Sequence, residues 1–251
     1  MFPGGDNMIH QWVDCDRSFV SRRYDRIAGF VPLFDRLLFL PPSLRKKAVA
    51  HLELRPGDSV LDVGCGVGEN LPYLREAVGP AGHIYGVDIS PGMLRRAHKL
   101  CDADHWHNIE LSECDVADYR APRPLDGVLF SLTYNTIPRH RAVLRSVWQQ
   151  LRPGGRLVIM DGKLPPGLGG RLLTPFSLWL MKHTLLSNPL IEPWKELSAV
   201  TEQFDMREFL FGSYYICRGV KPLADAQAPA VVAGAADEDA GVEPESRIAA
   251  E

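Results

Sequence analysis

Between Ser59 and Arg218 the chain alternates short runs rich in β-branched residues with longer amphipathic stretches. The runs Ser59–Val63, His83–Val87, Ile109–Cys114, Gly127–Phe130, Arg156–Met160, Phe204–Phe211 and Ser213–Arg218 predict seven strands. Helices are predicted over Asn70–Val78, Pro91–Cys101, Arg139–Leu151 and Glu192–Val200. Strands that alternate with helices in this way predict an α/β fold, a mostly parallel sheet with helices on both faces. The last two strands are separated only by Gly212, which predicts a C-terminal hairpin and an antiparallel edge to the sheet.

Two regions fall outside the alternation. In the N-terminal segment Ile27, Phe30, Val31, Phe34, Leu37 and Leu38 recur three or four apart, which places them on one helical face and predicts a helical cap over residues 1–54. The second region, 162–189, interrupts the core of residues 55–222. It carries Pro165-Pro166, then Gly167, Gly169 and Gly170, then the apolar stretch Leu172–Met181, and insertions of this length are commonly lids or binding loops. Its glycines could act as a hinge, its apolar residues (Trp179 among them) suit an acyl chain or a ring, and the flanking Lys163, Arg171 and Lys182 could meet a phosphate. The last 29 residues, 223–251, are rich in Ala, Gly, Pro and acids and lack aromatic residues. They predict a disordered tail, because too little apolar surface is available to offset the entropy of ordering.

The formal net charge of -3 is unevenly distributed. The tail holds seven acidic residues and one basic, so the remaining 222 residues carry 24 acidic and 27 basic. Such a weak excess, with no Lys/Arg run, argues against a nucleic-acid partner. The five cysteines (Cys15, Cys65, Cys101, Cys114, Cys217) are scattered and form no CxxC pair, so neither a disulfide framework nor a metal site is expected, and the predicted compartment is the cytoplasm. No stretch approaches the ~20 apolar residues of a spanning helix. Leu172–Met181 is suited to a lid or to lying in a membrane surface, so peripheral membrane contact stays open.

The chemistry concentrates after the first strand. Val60-Leu61-Asp62-Val63-Gly64-Cys65-Gly66-Val67-Gly68 sets glycines at alternate positions between a strand and a helix, where a bound cofactor needs close backbone approach. A nicotinamide fingerprint would place its third glycine at 69, but that residue is Glu69, which would repel a pyrophosphate at the helix N-terminus. The spacing therefore fits a cofactor without phosphate. Asp88, at the tip of the second strand, can accept hydrogen bonds from both hydroxyls of a ribose; taken alone, it could equally cap the helix that starts at Pro91. Asp115, after the third strand, could bond an adenine amino group or be a solvated loop acid.

These motifs, with Leu151–Asp161 (LRPGGRLVIMD), resemble in order and spacing those of the class I, S-adenosylmethionine-dependent methyltransferases. The resemblance covers roughly Arg22 to Gly219 and implies a Rossmann-like fold of that class. It assigns cofactor contacts to Asp62, Gly64, Cys65, Gly66 and Gly68, to Asp88, Ile89 and Met93, to Asp115 and Val116, and to Ser131. Within the superfamily, Tyr24-Asp25-Arg26-Ile27-Ala28 resembles the opening of the quinone-biosynthesis and phospholipid N-methyltransferase group. Phe130–Pro138 (FSLTYNTIP) and Phe211–Tyr215 are similar to segments of bacterial phosphatidylethanolamine and betaine-lipid methyltransferases. A second YD expected downstream is Phe34-Asp35 here.

Transfer from a sulfonium needs the acceptor held in line and water removed, with a base only if the acceptor arrives protonated. The candidates for work at the acceptor are Tyr24, which is expected to fold over the cofactor, and Tyr134 and His140 beyond the fourth strand. Ordinary packing is the alternative for Tyr24, and a helix-start surface position the alternative for His140. The expected acceptor is a small molecule or lipid-like amphiphile, with N-methylation of a lipid head-group amine preferred. C-methylation of a quinone-like ring, O- or N-methylation of a specialised metabolite, and cofactor binding without transfer are the alternatives.

Overall fold

The computed structural model describes residues 17–27, 41–164 and 191–223. In chain order these form α1 (Arg17–Ile27), α2 (Pro42–His51), β1 (Ser59–Val63), α3 (Leu71–Val78), β2 (His83–Asp88), α4 (Pro91–Ala103), β3 (Ile109–Glu113), β4 (Leu125–Ser131), a 3-10 turn (Tyr134–Thr136), α5 (His140–Gln150), β5 (Leu151–Gly162), α6 (Pro193–Ser198), β6 (Gln203–Phe209) and β7 (Tyr214–Val220). The strands make one sheet in the order β3-β2-β1-β4-β5-β7-β6. Strands β1 to β5 are parallel to their neighbours, and β7 runs antiparallel to both β5 and β6.

Side-chain alternation along each strand divides the core in two. Leu61, Val63, Val128, Phe130, Ile159 and Cys217 point to one face, beneath α5 and α6. Val60, Ile84, Leu129, Val158 and Ile216 point to the other, beneath α2, α3 and α4. All five residues of β1 are buried, as expected of a central parallel strand covered on both sides. The helices start where local chemistry favours them. Pro91 occupies the first turn of α4, and the Ser90 hydroxyl accepts from the Met93 N–H at 3.2 Å.

The structure revises the sequence reading at the hairpin turn, which takes four residues, Leu210–Ser213, because Leu210 and Phe211 leave the strand with φ of 49° and 57° ahead of Gly212 at 80°. The hairpin forms the expected antiparallel edge: β7 lies against β5, and β6 is outermost, antiparallel to β7. The cap residues Phe30 to Leu38, the insertion from 165 to 189 with Arg171, Trp179 and Lys182, and the tail from 224 onward lie outside the described residues. No helix among the described residues is long and apolar enough to cross a membrane.

Candidate functional site

The first four parallel strands bring the predicted motifs to one end of the sheet, as ligand sites of open α/β sheets require. After β1 the chain turns sharply: the Gly64 and Cys65 N–H groups donate to the Val87 carbonyl at 2.7 and 3.1 Å. Gly64, Gly66 and Gly68 all have positive φ, yet their surroundings differ. A Cβ on Gly64 would fall 2.2 Å from the Thr133 methyl, and one on Gly68 would fall 2.8 Å from Leu71, so the fold itself requires those two glycines. A Cβ on Gly66 would meet nothing within 4 Å. Space is left open at the middle glycine, and this is the observation that fits a cofactor lying against the turn.

Asp88 borders that space. Its Oδ2 accepts from Gly66 N at 2.9 Å and its Oδ1 from Ser90 N at 2.8 Å, so the acid of β2 ties down the turn of β1. Each oxygen keeps a second lone pair for a ribose hydroxyl. Burial pushes this carboxyl upward, opposed by the N–H groups of Ser90, Gly66 and Ile89. Ile89 is half-buried, and its carbonyl accepts from the Ser21 hydroxyl of α1 at 3.1 Å. In the loop after β3, Asp115 accepts from Ala117 N at 2.8 Å and lies 3.6 Å from Arg139.

Cys65, Met93 and Val116 are buried, and burial holds the Cys65 thiol well above its ordinary range. Asp62 and Ser131 belong to a network under the turn that the sequence reading missed. Asp62 is fully buried, and both its oxygens accept from the Asn70 amide, at 3.0 and 3.2 Å. Arg45 of α2 donates to the Asn70 carbonyl oxygen at 3.3 Å and to the Ser131 hydroxyl at 3.0 Å, and pairs with Glu69 at 2.5 Å. Burial raises Asp62 to about 7, against the opposing pull of Asn70 and Arg45.

Helix α1 closes the site from the opposite side. The Asp25 carboxylate accepts from the Ser90 hydroxyl at 2.6 Å and from Gly92 N at 2.7 Å, which docks α1 on the N-terminus of α4, where a negative charge is favoured. The docking places Tyr24 over the strand ends. Its phenol is hydrogen-bonded to Thr136 and pushed well up by burial and by the fields of Asp88 and Asp161. At neutral pH Tyr24 is therefore a neutral hydrogen-bonding group.

Tyr134 and His140 converge on a residue that the sequence reading did not single out. The fully buried Tyr134 donates its phenol O–H to Glu196 Oε2 at 2.6 Å, and His140 Nε2 lies 3.2 Å from Glu196 Oε1, as does Arg141 Nε. Burial would raise Glu196, but these three partners outweigh it and hold the carboxyl below its ordinary range. Tyr134 is pushed well up by burial and by the Glu196 charge. The structure thus engages both side chains with α6. At the end of β5, Asp161 is 4% exposed, accepts from the N–H groups of Asn135 and Gly162 at 3.1 and 2.8 Å, and is raised by burial to about 7.

Comparison with known proteins agrees with this architecture. Residues 60–155 match the family model described as a methyltransferase domain. A demethylmenaquinone methyltransferase of Listeria monocytogenes is 30% identical over 148 residues, which are 58% of this chain and 60% of that protein. One of Geobacillus stearothermophilus is 28% identical over 191 residues, 76% of this chain and 78% of that one. The chain spans about 60% of the length of the Listeria relatives it matches. Among solved structures, an S-adenosylmethionine-dependent O-methyltransferase of Thermotoga maritima aligns with a TM-score of 0.54 at 15% identity, over 75% of this chain and 68% of that one. A Haemonchus contortus phosphoethanolamine N-methyltransferase in complex with S-adenosylmethionine aligns with a TM-score of 0.57 at 15% identity, over 70% and 52%. The strand order, the glycine turn tied to an acid and the family match together identify a class I, S-adenosylmethionine-dependent methyltransferase domain in this chain.

Proposed function

We propose that the chain transfers a methyl group from S-adenosylmethionine to a ring carbon of a quinol-like amphiphile. The observation that carries the reading is the placement of Tyr24: its helix is pinned beside Ser90 and Gly92 by Asp25, next to Asp88 and the open glycine turn, and its phenol is hydrogen-bonded to Thr136, the neighbour of the Asn135 whose N–H donates to Asp161. An acceptor placed beside Tyr24 adjoins the cofactor without crossing solvent. The curated relatives favour a ring over the lipid amine that the sequence reading preferred, since they are demethylmenaquinone methyltransferases at 26–30% identity.

When bound, the cofactor supplies a methyl group already activated by sulfonium charge. The new C–C bond forms as the S–C bond breaks, the electron pair stays on sulfur, and the ring releases a proton. The protein's own residues orient and enclose. Gly66 leaves room and Asp88 holds ribose hydroxyls, while Tyr24 covers the junction so that the acceptor is aligned and water is excluded. Tyr24, with its phenol held protonated, acts as a donor and cover and not as a base.

The test is incubation of the chain with S-adenosylmethionine and either 1,4-naphthalenediol, kept reduced, or phosphatidylethanolamine vesicles, with products read by mass spectrometry. The expected product is a naphthalenediol heavier by one methylene, with the methyl on carbon and equimolar S-adenosylhomocysteine. Methylation of phosphatidylethanolamine alone would overturn the ring assignment in favour of the amine. Tight cofactor binding with no product from either would favour a binding module.

A further inference from the structure

We propose that Asp161, Asn135 and Tyr215 form a recognition site for a ring hydroxyl of the methyl acceptor. The inference rests on the ring-methylation reading and deepens it. Asp161 and Tyr215 are direct partners across β5 and β7, on the sheet face shared by Ile159 and Cys217. Asn135 lies beside them, since its N–H donates to Asp161 Oδ2 and its side-chain amide to the Gly162 carbonyl, both at 3.1 Å.

Two atoms of this cluster are buried without a hydrogen-bond partner: the Tyr215 hydroxyl, on a residue 0% exposed, and the Asn135 Oδ1, on a residue 2% exposed. Protein interiors seldom leave such groups unpaired, and two in one cluster call for a ligand that pairs them. Their chemistry is specific. The Tyr215 O–H needs an acceptor and the Asn135 oxygen needs a donor. A single hydroxyl group supplies one of each. An ammonium group has donors only and would leave the Tyr215 proton unpaired. Each Asp161 oxygen keeps a lone pair beyond its backbone N–H, so the carboxyl can join the same hydroxyl. The Trp194 ring stands edge-on to Tyr215 at 5.0 Å and provides an aromatic wall. Tyr24, hydrogen-bonded to Thr136 next to Asn135 and carried on the helix that Asp25 ties to Ser90 and Gly92, joins this cluster to the cofactor side.

The discriminating variant is Tyr215→Phe, which keeps the ring and removes only the unpaired hydroxyl. Binding of reduced 1,4-naphthalenediol to the full chain saturated with S-adenosylhomocysteine is measured by calorimetry, with naphthalene as a probe lacking any oxygen. The expected result is a roughly tenfold loss of diol affinity in the variant, of the size one hydrogen bond supports. Melting temperature, S-adenosylhomocysteine affinity and the weaker affinity for naphthalene should stay at wild-type values. Equal diol affinity in wild type and variant would overturn the hydroxyl site and leave the ring reading standing. A parallel loss of diol and S-adenosylhomocysteine affinity would overturn it as well, by showing a general structural effect. Failure of the wild type to bind the diol at all would remove the ring reading and this inference with it.

Discussion

Two aspartates, Asp62 and Asp161, are buried at or beside the carboxyl ends of parallel strands, on opposite faces of one sheet, and burial raises both to about 7. Their surroundings differ. Around Asp62 the Asn70 amide, the Arg45 guanidinium, the Ser131 hydroxyl and Glu69 are bonded to one another, and α2 is fastened beneath the glycine turn by that closure. Around Asp161 the backbone N–H groups and the Asn135 side-chain amide are matched, while Asn135 Oδ1 and the Tyr215 hydroxyl have nothing. Equal burial therefore does not imply an equal role. The closed cluster holds a shape, whereas the open one has bonding capacity in reserve.

The sharpest way to break this contrast is to remove the hub of the closed cluster. Arg45→Met is expected to cost about 3 kcal/mol of folding stability, because Asn70, Ser131 and Glu69 lose one partner together. A denaturant titration measures it. A loss below about 1 kcal/mol would mean that the network is no more structural than its counterpart. Asp88→Ala comes next, with an expected loss of about 1.5 to 3 kcal/mol in S-adenosylmethionine binding, since a charged acceptor for two hydroxyls disappears. Calorimetric titration at wild-type affinity would detach Asp88 from the cofactor.

Asn replacements at the two aspartates sharpen the comparison further. A carboxyl whose folded pKa is raised retains a proton that the unfolded chain gives up, so its stabilising contribution is complete below about pH 4 and is lost as pH rises through about 7. Asp161→Asn is neutral throughout, so the fall in wild-type stability between about pH 5 and about pH 8 should be absent in the variant, while its amide NH2 meets one of the two backbone N–H groups that the carboxyl accepted from, at a cost independent of pH. Asp62→Asn should lose its pH dependence in the same way, with its added amide donor facing the Asn70 amide. A variant whose stability still falls with pH as steeply as wild type would show that its aspartate does not set the profile.

Much of the fold is legible in the sequence because its strands are short, β-branched and buried on both faces: β1 matches its predicted span residue for residue. The hairpin is less legible, since nothing in the identities of Leu210 and Phe211 announces a positive φ. Of the site, Asp88 can be read from its distance to the glycines and its place at a strand tip. Arg45, Asn70 and Glu196 cannot, because an isolated polar residue on a predicted helix looks solvated until the fold supplies its partner. Asp25 stands in a segment that the resemblance already marks, but its capping of α4 depends on a contact 65 to 67 residues away in sequence. Asp161 and Asn135 also stand in marked segments, and only the β5–β7 register brings Tyr215 to them.

The smallest expected effect is the most informative about the two clusters, and it comes from deleting one buried hydroxyl from each. Ser131 accepts from Arg45 at 3.0 Å and is 6% exposed, so Ser131→Ala leaves a guanidinium N–H short of an acceptor and should cost about 1 kcal/mol. The Tyr215 hydroxyl is more deeply buried but bonds to nothing, so Tyr215→Phe breaks no hydrogen bond and removes a polar group desolvated without return. Its stability should stay within about 0.5 kcal/mol of wild type, or rise. The ring keeps its packing against Trp194 in either case. Thermal or denaturant unfolding of the two variants, in the absence of any acceptor, measures the difference directly. If Tyr215→Phe proves the more damaging of the two, the hydroxyl has a structural partner and the cluster around Asp161 is as closed as that around Asp62.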